Sequence, residues 1–132
     1  MIRKYFAVSG VWWVSAYIFP SRYDVDEILE HLSDIGCEGA DFATACDNLL
    51  SGKPNGGLCY SKANESVIVI GETTEPAELF NSLVHEITHL SVHIASERGM
   101  DLEGEKICYL AGEIAQNLYK SVKGLLCECC NK

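Results

Sequence analysis

Basic side chains are scarce in this 132-residue chain: 10 Lys and Arg stand against 19 Asp and Glu, a formal charge of −9. A surface that neutralises a phosphate backbone needs clustered cations, so nucleic acid is excluded as an expected partner. No apolar run reaches the roughly 20 residues of a bilayer-spanning helix, and no membrane association is expected. Proline is limited to three residues, and internal repeats, low-complexity tracts and long linkers are missing. At 48% hydrophobic and 22% charged, the composition is not that of a disordered chain. The length suits one domain, expected over residues 1–126, with a Cys-rich tail at 127–132.

What the chain has in excess is cysteine, seven in all. An odd number, in a chain with enough apolar residues for a core, argues against a disulfide-stapled secreted domain. The expectation is a reducing, cytoplasmic setting with free thiols, some buried as small hydrophobes. Cys127 and Cys130 have C-x-x-C spacing, with Cys129 between them. A closed zinc site there would draw on Cys37, Cys46, Cys59 or Cys108, none of which forms a second such pair, so a frayed tail is the simpler reading.

Arg3 and Lys4 ahead of the mostly apolar stretch Tyr5 to Phe19, with Val14-Ser15-Ala16 inside it, outline a signal peptide. The aromatic and β-branched residues either side of Ser9-Gly10 favour two strands turning at that dipeptide instead. Val25, Ile28, Leu29, Leu32 and Ile35 recur at helical spacing after Asp24, a predicted N-cap, and Gly36 is the stop. A second helix is predicted from Ala40 to Leu50, and a turn at 53–57. Leu58-Cys59-Tyr60 and Ser66 to Ile70 then read as a hairpin, its second strand buried on both faces. Pro76 opens a third helix after the N-cap candidates Thr73 and Thr74. Leu79, Leu83, Ile87, Leu90 and Ile94 carry it to Gly99. A last helix follows Asp101, striped by Ile107, Leu110, Ile114, Leu118 and Val122. This mixture in a short chain predicts an α+β domain with a small antiparallel or mixed sheet packed on helices.

The third helix contains His85-Glu86-Ile87-Thr88-His89. Residues four apart lie one above the other on a helix, so both imidazoles leave the same face and can grip one Zn²⁺. The acid after the first His stands beside such an ion and can take a proton from its water, the general-base role. The pattern is H-E-x-x-H, whose mechanics are those of zinc peptidases. On a wheel at about 100° per residue from Leu83, His85 and His89 fall at roughly 200° and 240°, away from the apolar stripe. Ala95 and Val92 exclude the extended astacin-like pattern. His93 continues the row, but it lies about 12 Å along the axis from His85 and cannot share one ion with it. The third ligand is expected among Glu103, Glu105 and Glu113. Glu105 is preferred because it faces away from the apolar stripe, beside Tyr109 and Gly112, and Glu113 is held in reserve. Asn81, one turn before His85, could orient an imidazole.

Asn81 to His93, followed by Glu105-Lys106-Ile107-Cys108-Tyr109-Leu110-Ala111-Gly112, resembles a small gluzincin, an H-E-x-x-H zinc peptidase with a Glu ligand on the next helix. More narrowly it resembles compact zinc peptidase-like proteins of phage and mobile elements in gut bacteria, over roughly residues 56–116. The resemblance implies a zincin-like fold, zinc on His85, His89 and Glu105, and Glu86 as base. Larger gluzincins carry an Asp where this chain has Tyr109, whose phenol could donate to a developing oxyanion. The expected activity is hydrolysis of a peptide or protein substrate lying along a sheet edge, either the Leu58 strand or the Ser66–Ile70 strand. A zinc-binding module without turnover is the alternative.

Overall fold

The computed structural model describes residues 1–51 and 57–127. The turn expected at 53–57, up to residue 56, lies outside these described residues, as do Cys129 and Cys130.

Strands β1 (Ile2–Val8) and β2 (Trp12–Ile18) pair antiparallel. They turn at Ser9 and Gly10, whose φ angles of 53° and 73° give the two positive values of a primed hairpin turn. The N-terminal stretch that resembled a signal peptide is therefore a hairpin. Helices α1 (Val25–Asp34) and α2 (Gly39–Leu50) follow. Strands β3 (Leu58–Lys62) and β4 (Glu65–Ile70) then form the expected hairpin, and helices α3 (Pro76–Glu97) and α4 (Glu105–Leu126) complete the chain. The sheet order is β1-β2-β4-β3, with β4 parallel to β2 and antiparallel to β3. The architecture is α+β, with a mixed sheet.

Side-chain alternation explains the layering. Phe6, Val8, Val14, Ile18, Ile68 and Ile70 leave one face and pack on Leu83, Leu90, Ile94 and Ile114 of α3 and α4. Tyr17, Val67 and Val69 leave the other and meet Ile28, Leu32 and Ala45 of α1 and α2. Helices thus cover both faces of the sheet at β4, which is why Val67, Ile68, Val69 and Ile70 are all 0% exposed. Burying each such side chain contributes about 1.5–3 kcal/mol relative to exposure.

The local signals were partly displaced. Asp24 precedes α1 without a side-chain cap; it accepts instead from Ser21 N and Oγ, closing a capping box one turn earlier. Glu75, not Thr73 or Thr74, is the N-cap of α3, and Thr74 donates to Glu78 Oε2 from its backbone N and its hydroxyl. Strand β4 is paired on both sides, so it offers no edge for a peptide; that expectation is corrected to β3, which has one free side. The reason is the parallel crossover from β2, which inserts β4 beside it and leaves β3 outermost. No described helix is long and apolar enough to cross a membrane.

Candidate functional site

Helix α3 buries Leu79, Leu83, Leu90 and Ile94 and turns its opposite side outward. His85 and His89 stand on that outer side, exposed, with ring centroids 4.8 Å apart. The rings meet edge to face, one turn apart, as neighbours at i, i+4 on a helix.

Glu86 differs from its neighbours. It is only 6% exposed, and its Oε1 lies 3.9 Å from His85 Nε2. Oε2 is buried with no hydrogen-bond partner among the described residues. Burial pushes the Glu86 carboxyl above its ordinary pKa, and the nearby His85 only partly opposes that. Leaving such an oxygen unpaired costs about 1–3 kcal/mol, more for a charged group. A buried carboxyl at a cleft with an unpartnered oxygen carries a cost in stability, and that marks Glu86 as a candidate site residue.

The cleft itself holds about 430 Å³ between α2, α3 and the edge of β3, and His85, Glu86, His89 and His93 all line it. It continues along β3 past Ser61 and Lys62 into a second hollow of about 480 Å³ that reaches Glu97. Asp41, Thr44 and Asn48 of α2 form the opposite wall. Sequence reasoning missed this wall; its one signal was the three- and four-residue spacing of those polar positions. Ala63 and Asn64 make a two-residue turn at φ 52° and 65°, so Lys62↔Glu65, and with it Tyr60↔Val67, are the hydrogen-bonded pairs of the hairpin. The N–H and C=O groups of Cys59 and Ser61 consequently point to the free edge.

The side chains of Cys59 and Ser61 turn toward α3. Ser61 Oγ lies 2.8 Å from His93 Nδ1 and 2.6 Å from Ser66 Oγ, and Trp12 Nε1 donates to Ser66 Oγ at 2.8 Å. Cys59 Sγ is 3.7 Å from the same His93 nitrogen. Burial, with Glu86 nearby, pushes the Cys59 thiol up to about 12, so it stays protonated. That is the wrong direction for a Cys–His nucleophile, and the pair is structural. Burial, with His89 beside it, holds His93 below the ordinary imidazole pKa.

The remaining sequence candidates lie elsewhere. Glu105 is the first residue of α4 and exposed, beyond the 98–104 turn that follows α3. Helix α3 runs eight residues past His89, about 12 Å of rise, before that turn begins. Glu113 accepts from Ser9 N at 2.6 Å and belongs to the β1–β2 turn. Glu103 is exposed near Asp101, whose Oδ1 accepts from its backbone N at 2.9 Å. Tyr109 is 74% exposed and outside the cleft lining. Gly112 has open space where a Cβ would stand, so no close approach requires it. Asn81 lines a small hollow of about 170 Å³ together with His85 and Glu86.

The structure thus brings together His85, Glu86, His89 and His93, and does not bring Glu105 or Tyr109 to them. Two imidazoles on one face and an orphaned buried carboxylate oxygen fit a metal with a hydrolytic water. Among the described residues, however, no group of three His, Cys, Asp or Glu side chains converges as a ligand set. Cys37, Cys46, Cys59 and Cys108 are free thiols. No family model, no curated protein and no solved structure matches the chain.

Proposed function

We propose that the chain is a zinc-dependent peptidase whose reacting centre is the His85–Glu86–His89 segment of α3. The observation that carries this reading is Glu86 Oε2, buried at the cleft and unpaired among the described residues, beside two imidazoles in edge-to-face contact. Held by His85 and His89, zinc would supply Lewis acidity and bring the pKa of its water to about 7. Glu86 would take the proton of the attacking water and pass it to the leaving amine. Its buried setting raises its proton affinity, which suits a group that must hold that proton briefly. The outward backbone groups of Cys59 and Ser61 would pair with an extended peptide, adding it to the sheet edge.

The test is digestion of a broad peptide library by zinc-loaded protein. Glu86→Gln should keep zinc and abolish cleavage, and EDTA should abolish cleavage by the parent. An unchanged rate in either case ends the proposal.

A second reading is a zinc-binding module without turnover, of the kind the phage and mobile-element resemblance suggests. The dispersed positions of Glu105 and Tyr109 favour it. It predicts zinc uptake with no Glu86-dependent cleavage.

A further inference from the structure

We propose that His93 is not a metal ligand but a fixed hydrogen-bond donor, locked with its proton on Nε2, that engages a main-chain carbonyl oxygen of the bound peptide. This rests on the peptidase reading for the identity of the acceptor, though not for the tautomer.

The direction of the buried hydrogen-bond chain carries the inference. An indole N–H can only donate, so Trp12 Nε1 fixes Ser66 Oγ as an acceptor. Ser66 is 2% exposed, and its own hydroxyl proton has Ser61 Oγ as its partner at 2.6 Å. Ser61 then receives from Ser66, and its proton goes to His93 Nδ1 at 2.8 Å. In this order both hydroxyls give one bond and take one. Starting instead at an Nδ1–H brings two donors either onto Ser66 Oγ, whose proton is then buried without an acceptor, or onto Ser61 Oγ, whose proton is then left only the weak acceptor Cys59 Sγ. Either arrangement carries the cost of a poorly satisfied polar group.

Cys59 Sγ lies 3.7 Å from Nδ1, but the one lone pair of that nitrogen is engaged by Ser61, so the thiol takes no part in setting the direction. With Nδ1 accepting, the neutral ring carries its proton on Nε2. A metal bound at Nε2 would have to displace that proton, which the network opposes. His93 lines both hollows of the groove, so its free N–H is offered where a peptide on the β3 edge would run. Trp12, Ser66 and Ser61 are positioning residues for that donor.

Nitrogen-15 NMR of histidine-labelled, metal-free protein reads the tautomers directly. His93 should be a single Nε2–H form, while exposed His89 serves as an internal reference showing a tautomer mixture. Ser61→Ala should move His93 toward that mixture and Ser61→Thr should restore the single form. Trp12→Phe, which releases the chain's direction, should also give a mixture. Added zinc should shift His85 and His89 while His93 keeps its Nε2 proton. An Nδ1–H form, an identical tautomer ratio in parent and Ser61→Ala, or loss of the Nε2 proton on zinc addition overturns the assignment. In the library digest, His93→Phe should raise KM about three- to tenfold, with kcat less affected and zinc stoichiometry unchanged. An unchanged KM overturns the carbonyl contact. Absence of any hydrolysis by the parent sinks the peptidase reading and the carbonyl contact together, and the NMR experiment still decides the tautomer.

Discussion

The backbone at Gly57 is packed against the carboxylate of Glu86: a Cβ at Gly57 would stand 3.3 Å from Glu86 Oε1 and 2.7 Å from the carbonyl oxygen of Val69. The start of β3 therefore forms one wall of the pocket that holds the proposed base, and only a residue without a side chain fits there.

Gly57→Ala should destabilise the protein by about 1–3 kcal/mol, since the Val69 carbonyl is backbone and cannot swing aside. The same substitution should displace β3 from α3 and lower hydrolysis. Denaturant unfolding, run beside the library digest, checks both; a fully stable and fully active variant would show that the wall is pliable.

Glu86→Gln should make the metal-free protein more stable at neutral pH, by about 1–3 kcal/mol. The sign follows from linkage. Burial raises the folded-state pKa of Glu86 above its unfolded value of 4.5. Below that unfolded value both states are protonated and the carboxyl carries no penalty. The penalty grows as pH rises from there through the folded pKa and is full above it. Melting curves of parent and variant should therefore converge near pH 4 and separate toward pH 7. Curves that stay parallel over this range would remove the case for a strained, desolvated base.

Zinc titration by calorimetry separates the candidate ligands. His85→Ala and His89→Ala should each weaken binding by at least tenfold, because each removes one of two neighbouring imidazoles. Glu105→Gln should leave affinity within about twofold, given its place at the exposed start of α4. Glu113→Gln should also leave zinc binding alone and lower stability by about 1 kcal/mol through the lost contact with Ser9. A large loss of zinc affinity in Glu105→Gln would restore the third-ligand assignment implied by the gluzincin resemblance.

Cys59 should resist alkylation in the folded protein at pH 8, because its half-buried thiol is pushed up to about 12 by desolvation. Exposed Cys108 should react readily under the same conditions. Peptide mapping after a short iodoacetamide pulse distinguishes the two, and rapid labelling of Cys59 would show that the groove opens.

Much of the scaffold was legible because it depends on local periodicity. Helix α3 was set by Pro76, Gly99 and an apolar stripe, and the closeness of His85 to His89 follows from a four-residue spacing alone. The hairpin at Ser9-Gly10, a second hairpin between Tyr60 and Ser66, and the burial of Val67 to Ile70 likewise follow from residue type and alternation, while the placing of the second turn at Ala63 and Asn64 does not. The relationships that make a site do not. Spacing on one helix leaves open whether a neighbouring helix extends far enough to carry its first residue away, as α3 does with Glu105. Nor does a run of β-prone residues say which strand ends at the edge; the parallel crossover from β2 decided that for β3. The partner of His93 lies 32 positions away at Ser61, and the indole that orients the whole chain of hydroxyls lies further still, at Trp12. Periodicity is written in neighbours along the chain. Convergence of distant side chains is decided by how the layers pack, and only the folded molecule holds that information.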